Sequence, residues 1–257
     1  MPTYETRARS SPSTLRSSTH RSRPRTVVRS RRSLARAAAD LGHFEVFTEE
    51  IAIVDGIAIK LVRPADEDAV VDYYVSLGQL DADPYWATLW PSALAVSRYI
   101  ANAPSLVRGK TVYDLGAGLG LSGLVACAAG ARKVVLLDRE PLALACAELS
   151  IEANGFQDRV SVEVFDWNAI ETQEKFDTLL ACDVLYEVQA VSPIAELVPR
   201  LVRSGGGRFL LGDPPLRAPK NRERFKSLLT EQYGAFMMRE VTVRETNDAL
   251  ILMDFKL

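Results

Sequence analysis

Two β-rich runs, from Phe44 to Val54 and from Ile57 to Arg63, flank Asp55-Gly56, a residue pair suited to a tight hairpin turn. They predict an N-terminal β-hairpin. The acids Asp66, Glu67, Asp68 and Asp72, followed by apolar residues, predict a short helix, and Pro91 to Ala101 carries a second helical pattern. Beyond it short apolar runs alternate with helical stretches. Strands are expected at Thr111 to Leu115, Lys133 to Leu137, Val160 to Phe165, Phe176 to Ala181 and Arg208 to Leu211. Helices are expected near Leu121 to Ala129, Pro141 to Asn154, Ala190 to Val202 and Asn221 to Tyr233. Strand, helix, strand at this spacing requires right-handed crossovers and a mainly parallel sheet. The last segment, Ala235 to Leu257, gives two β-rich runs around Asn247-Asp248 instead, an antiparallel pair. The expected fold is α/β: a doubly wound, mainly parallel seven-stranded sheet with an antiparallel C-terminal hairpin and an N-terminal β-hairpin extension.

Composition changes this picture at one end. The net charge of −2 hides an asymmetry, because residues 1–39 hold ten arginines, no lysine and one acid, Glu5, a balance of +9 against −11 for the remainder. Hydroxyl residues there are no rarer than arginines, and no continuous apolar stretch is present. That is the composition of an organelle transit peptide, with the plastid favoured over the mitochondrion and a disordered basic tail as the alternative. The chain divides into this segment at 1–40, the hairpin and helix extension at 41–83, and a catalytic domain at 84–257. An acidic body disfavours general nucleic-acid binding and suits a basic protein partner. No apolar run approaches the roughly 20 residues that span a bilayer, so no membrane association is expected. Cys127, Cys146 and Cys182 lie in apolar runs without metal-ligand spacing, and read as reduced, buried thiols rather than a zinc site. Nothing in these patterns sets an oligomeric state.

The candidate chemistry centres on Val112-Tyr113-Asp114-Leu115-Gly116-Ala117-Gly118-Leu119-Gly120, a strand entering a glycine-rich turn and then a helix. Gly116 and Gly118 allow a sharp turn and a close backbone approach to a ligand at the carboxyl edge of the sheet. Two details favour S-adenosylmethionine over a dinucleotide. The last glycine of a dinucleotide fingerprint would fall on Leu121, and the carboxylate of Asp114 suits a cationic amine and sulfonium better than a pyrophosphate. Asp138, at the end of the second strand, is placed to take ribose hydroxyls. Asp166-Trp167, after the third, offers a carboxylate to an adenine amino group and an indole face to the purine. Each has a plainer reading: a helix N-cap for Asp138 or Asp166, and core packing for Trp167.

With these features in order, the chain resembles the seven-β-strand methyltransferases, a Rossmann-like fold, and within them the family-16 group of protein lysine methyltransferases. The resemblance runs from about Glu45 to Leu257. Pro84-Tyr85-Trp86-Ala87-Thr88-Leu89-Trp90-Pro91-Ser92 resembles the group's tryptophan motif, and Asp183-Val184-Leu185-Tyr186 its D-x-x-Y motif. The turn Gly212-Asp213-Pro214 is similar to one found in part of the group. The resemblance implies that Trp90 covers the cofactor, that Gly116, Ala117 and Gly118 meet its methionine end, and that Asp138 holds the ribose. It implies further that Trp167 flanks the adenine and Cys182 contributes backbone. Asp183 and Tyr186 then stand as catalytic candidates at the methyl-transfer end, and Trp86 and Asp213 as substrate contacts. Against these, Trp86 and Trp90 at i and i+4 also describe one packed helical face, Asp213 a turn former, and Tyr186 a core residue. The implied function is S-adenosylmethionine-dependent methylation of a lysine side chain on an organellar protein. Alternatives are a small-molecule methyltransferase, a non-catalytic S-adenosylmethionine-binding assembly protein, and a nicotinamide oxidoreductase.

Overall fold

In the computed structural model, residues 34–257 are described except 35, 39, 80, 81, 83, 169–173, 234–236, 246 and 247. The arginine-rich segment as far as residue 33, and Asn247 of the last turn, lie outside the described residues.

Strands β1 (Val46–Val54) and β2 (Ile57–Pro64) form the expected hairpin as an antiparallel sheet of their own, with Gly56 at φ 81° in the turn. Helix α1 (Glu67–Ser76) follows, its N-terminus capped by the Asp66 side chain, which accepts from the Asp68 N–H. The tryptophan motif does not form one helical face. Pro84–Ala87 makes a single 3-10 turn, and Trp90 is extended at φ −73° and ψ 141°, ahead of α2 (Pro91–Asn102). The cause is Pro91, which disfavours a helical conformation in the residue before it and suits the first helical position itself.

The central layer is built from β3 (Thr111–Leu115), α3 (Leu121–Ala128), β4 (Lys133–Asp138), α4 (Pro141–Asn154), β5 (Val160–Val164) and β6 (Thr178–Cys182). It is completed by α5 (Val188–Leu201), β7 (Arg208–Asp213), α6 (Pro219–Tyr233), β8 (Met237–Glu245) and β9 (Asp248–Lys256). The seven strands lie in the order β5-β4-β3-β6-β7-β9-β8. The first five run parallel and β9 runs antiparallel to both β7 and β8, as the strand pattern predicts. Phe176 departs from expectation. Its N–H and C=O are taken by Leu201 and Arg203, the exit of α5, so β6 starts two residues later.

Both faces of the sheet are covered. On one, α2, α3, α4 and the hairpin enclose Leu124, Val134, Leu136, Leu144, Ile59 and Leu61; on the other, α5 and α6 cover Leu115, Leu137, Phe209 and Phe255. The hairpin is thus no loose appendage. The Val62 N–H donates to Ser150 Oγ (2.8 Å), and Asn154 both accepts from the Lys60 N–H (3.0 Å) and donates to its carbonyl (2.7 Å). Fully buried Ile59 and Leu61 add about 1.5–3 kcal/mol each.

One glycine sets the depth of the central crevice. A Cβ on Gly123 would stand 2.2 Å from Leu136 Cδ2 and 3.1 Å from Asp114 Oδ2, so only glycine lets the first turn of α3 settle against the sheet. From β3 the chain leads to β4 on one side and, later, to β6 on the other. A crevice therefore opens at the carboxyl end of β3, the switch point at which doubly wound sheets bind ligands.

Candidate functional site

Every loop that leaves the carboxyl ends of β3, β4 and β6 contributes to one cavity, joined by Trp167 and by the tryptophan motif. It encloses about 800 Å³ when space open to solvent is included.

The floor is the glycine loop. Gly116 and Gly118 have φ of 64° and 53°, the left-handed region. A Cβ on Gly116 would lie 2.9 Å from Val184 Cγ1 and 3.6 Å from Trp167 Cζ3. The loop is tied to the end of β4 through Asp138, whose two carboxylate oxygens accept from the N–H groups of Gly118 (2.8 Å) and Glu140 (2.9 Å). Asp138 therefore ties the loop together while it also lines the cavity, but it is not the helix N-cap: Glu140 holds that position, its side chain accepting from the Leu142 N–H (3.3 Å). Ala117, Gly118, Trp167 and Cys182 line the same space.

Asp114 sits elsewhere than its sequence reading suggests. Its side chain is buried beneath the loop, where Oδ2 accepts from Ser122 Oγ (2.6 Å) and the Gly123 N–H (2.8 Å). It does not line the cavity. Its other oxygen is buried with no hydrogen-bond partner among the described residues, and burial raises its pKa to about 6. Asp166 is exposed and accepts from the backbone and side chain of Asn168 (2.8 and 3.0 Å), so it shapes a turn rather than the cavity.

The far wall is aromatic. Trp90 donates its indole N–H to the Tyr85 carbonyl (2.9 Å), and the Tyr85 ring meets Trp90 and Tyr186 edge-on, each at 6.1 Å. Asp183 stands at the same end. It holds φ 56°, the one non-glycine residue with positive φ among those described, a conformation that costs free energy and tends to occur at working sites. Its Oδ2 pairs with Arg217 Nη1 at 2.6 Å, and Oδ1 is buried with no partner among the described residues. Burial raises the Asp183 pKa, against the opposing pull of Arg217. The Arg217 guanidinium in turn lies 4.3 Å from the Trp90 ring centroid and 5.6 Å from that of Tyr186.

Two expected substrate contacts are largely buried and bonded within the protein. Trp86 lines the cavity but is only 6% exposed, and its indole N–H donates to Tyr74 Oη at 3.0 Å. Asp213 is 2% exposed and closes a buried pair with Arg222 at 2.6 Å. Arg222 also donates to the carbonyls of Pro214 (3.1 Å) and Pro215 (3.0 Å), which makes Asp213 a brace for the turn after β7. The Asn221 side chain donates to the Leu185 carbonyl (2.8 Å), so α6 braces the loop carrying Asp183 and Tyr186 as well. Sequence reasoning missed Glu140, Ser122 and Arg217. Glu140 has a legible signal, an acid one residue before a helix-starting proline. Arg217 has none.

Residues 81–228 match the family model described as lysine methyltransferase. The mouse electron transfer flavoprotein beta subunit lysine methyltransferase is 35% identical over 134 residues, 52% of this chain and 51% of that protein. The chain thus spans about half the length of the first curated relatives it matches. The Xenopus laevis protein of the same name is 28% identical over 204 residues, covering 75% of this chain and 76% of the relative. A zebrafish protein N-lysine methyltransferase is 30% identical over 161 residues, 60% of this chain and 70% of its own. Among solved structures, the Thermus thermophilus 16S rRNA N2 G1207 methyltransferase in complex with AdoMet and guanosine superposes with a TM-score of 0.56 at 19% identity, over 83% of this chain and 50% of that one. At that identity the likeness is one of fold.

Proposed function

This chain belongs to the lysine methyltransferase family, and we propose that it is an S-adenosylmethionine-dependent enzyme that methylates a lysine side chain of a protein. The observation that carries this reading is that a glycine cradle and a carboxylate-aromatic cation site open into one cavity.

The residues present fit the methyl donor. The left-handed glycines leave space at Gly116 that a Cβ would fill, and Asp138 offers a carboxylate beside them. Trp167 adds an aromatic face. In this proposal Gly116, Ala117 and Gly118 hold the amino-acid end, Asp138 the ribose, Trp167 the purine, with Trp90 as cover and Cys182 supplying backbone. S-adenosylmethionine provides, when bound, a methyl carbon made electrophilic by its sulfonium.

The protein's own task is to present a neutral amine in line. A lysine with an ordinary pKa of about 10.4 arrives protonated, so the site has to accept hydrogen bonds from its ammonium and then favour the neutral form. In this proposal the Asp183 carboxylate accepts from the ammonium, and Tyr186 orients the amine from the aromatic wall. Water can take the proton. Catalysis then rests chiefly on alignment and exclusion of solvent. A protein substrate is favoured over a small molecule by the rim. Of the eight large apolar side chains exposed among the described residues, Tyr85, Val188 and Leu216 belong to segments adjoining the cation site.

Calorimetric titration of the chain with S-adenosylhomocysteine tests the reading, with Asp138→Ala and NADH as controls. Micromolar binding that the variant loses and NADH lacks is the expected result. A folded sample that binds no S-adenosylhomocysteine overturns it. Labelled methyl transfer to organellar extracts then identifies the acceptor protein.

A further inference from the structure

We propose that Arg217 is the internal occupant of the substrate-cation site, a side chain that the incoming lysine must displace, and that it thereby determines which substrates the site accepts. This rests on reading the cavity as a lysine methyltransferase site.

The guanidinium has the surroundings that a substrate ammonium would seek. A carboxylate oxygen lies 2.6 Å from it, the Trp90 face 4.3 Å and the Tyr186 ring 5.6 Å from its central carbon. Carboxylate pairing and cation–π attraction both depend on positive charge more than on the shape of the head group, so lysine and arginine compete for such a site. Asp183 keeps a cation in place at all times, because its side chain is 3% exposed and a bare carboxylate there would be costly. A second acceptor, Oδ1, is buried with no partner among the described residues, so the pair with Arg217 leaves the carboxylate's hydrogen-bonding capacity incomplete.

Arg217 is also the arginine of this region that can leave. Among the described residues its close contacts are Asp183 and the two rings, with a longer-range attraction to Asp213, and its side chain is 32% exposed. Arg222, five residues on, is 6% exposed in its side chain and is bound to Asp213 and two backbone carbonyls. Arg222 therefore fixes the base of the turn while Arg217, beside the 90% exposed Leu216, occupies its free end. A resident competitor lowers the affinity for every lysine alike. It leaves methylation to those lysines whose surrounding protein contributes further contacts, which is selection by a built-in repulsive element.

The test uses the full chain saturated with S-adenosylhomocysteine and N-α-acetyl-L-lysine methylamide as the probe, titrated at pH 8, where the probe is protonated. Arg217→Met keeps the apolar stem and removes the charge. It is expected to bind the probe about tenfold more tightly than the natural protein, equal to about 1.4 kcal/mol. Arg217→Lys, which retains a competing cation, should stay near the natural affinity, and Arg217→Met combined with Asp183→Asn should lose the gain. Affinity for S-adenosylhomocysteine should change by less than about twofold in Arg217→Met, which also verifies its fold. Probe binding by Arg217→Met that is equal to or weaker than that of the natural protein, including none in either, overturns displacement. A natural protein that fails to bind S-adenosylhomocysteine instead removes the underlying methyltransferase reading, and this proposal with it.

Discussion

Gly116 and Gly155 share a left-handed backbone, with φ of 64° and 70°, but differ in what surrounds them. An added Cβ meets Val184 Cγ1 at 2.9 Å in the first and open space in the second. Either glycine changed to alanine should cost about 1–2 kcal/mol in thermal unfolding from backbone strain alone. Gly116→Ala should in addition abolish S-adenosylhomocysteine binding, and Gly155→Ala should retain it. Equal binding by both variants would detach the glycine loop from ligand recognition. Asp114 makes a prediction about pH. Its folded pKa of about 6 lies above the ordinary 3.8 because burial favours the neutral acid. Its contribution to stability is therefore full below about pH 4 and is lost as pH rises through 6, on the order of 3 kcal/mol. Asp114→Asn should remove that decline, so the difference in unfolding free energy between variant and natural protein grows in favour of the variant from pH 4 to 7. Asp213, also raised to about 6 by burial, keeps a second decline in both. A constant difference across this range would show that Asp114 does not titrate there. The glycines and Asp138 are legible in the sequence because their roles follow from strand-turn-helix order. The direction of Asp114 is not, since a carboxylate at a strand end can serve the ligand or the helix, and the hydroxyl of Ser122 with the N–H of Gly123 decides.

At the scale of elements, α6 braces the loops around the cavity without lining it. Arg222 neutralises Asp213 and holds the carbonyls of Pro214 and Pro215, and Asn221 holds the loop before α5. Arg222→Met should destabilise by about 3–5 kcal/mol in chemical denaturation, because it leaves Asp213 charged and buried. Adding Asp213→Asn should recover part of that loss; no recovery would mean the arginine acts through the two carbonyls alone. The hairpin offers a second case. Asn154→Ala removes both bonds to Lys60 and should cost about 1–2 kcal/mol by the same measurement. Periodicity locates α5, whose buried residues Ala190, Val191, Ile194, Ala195, Leu197, Val198 and Leu201 form one stripe. It cannot reveal that Asn154 and Ser150 receive a hairpin some 90 residues earlier in the chain, because that contact depends on tertiary position. It also mistakes the spacing of Trp86 and Trp90 for a helix, where the proline at 91 overrides it.

Viewed as a whole, the molecule opens its cavity at the switch point of the sheet, and its charge is divided between two parts. Right-handed crossovers and a mainly parallel sheet follow once five strands and their helices are recognised, whereas the order β5-β4-β3-β6-β7, which sets the switch point beside the glycine loop, depends on tertiary arrangement. The cation site depends on it too, because it joins residues 85, 90, 183, 186 and 217 from separate segments. The acidic body, at −11 beyond residue 39, suits a substrate surface richer in lysine than in acid. The +9 segment before it has a different use on the transit-peptide reading, because arginine-rich, acid-poor chains are the kind that organelle import machineries accept. A fluorescent fusion of residues 1–45 separates the possibilities. Import into plastids is the outcome that its hydroxyl content favours, and it would remove the flavoprotein subunit from consideration as substrate. Mitochondrial import would accord with the likeness to methyltransferases named for the electron transfer flavoprotein beta subunit and make that subunit the first protein to incubate with enzyme and labelled methyl donor. Fluorescence spread through the cytosol would overturn the transit reading and turn the substrate search to cytosolic proteins, while leaving the chemistry of the cavity as it stands.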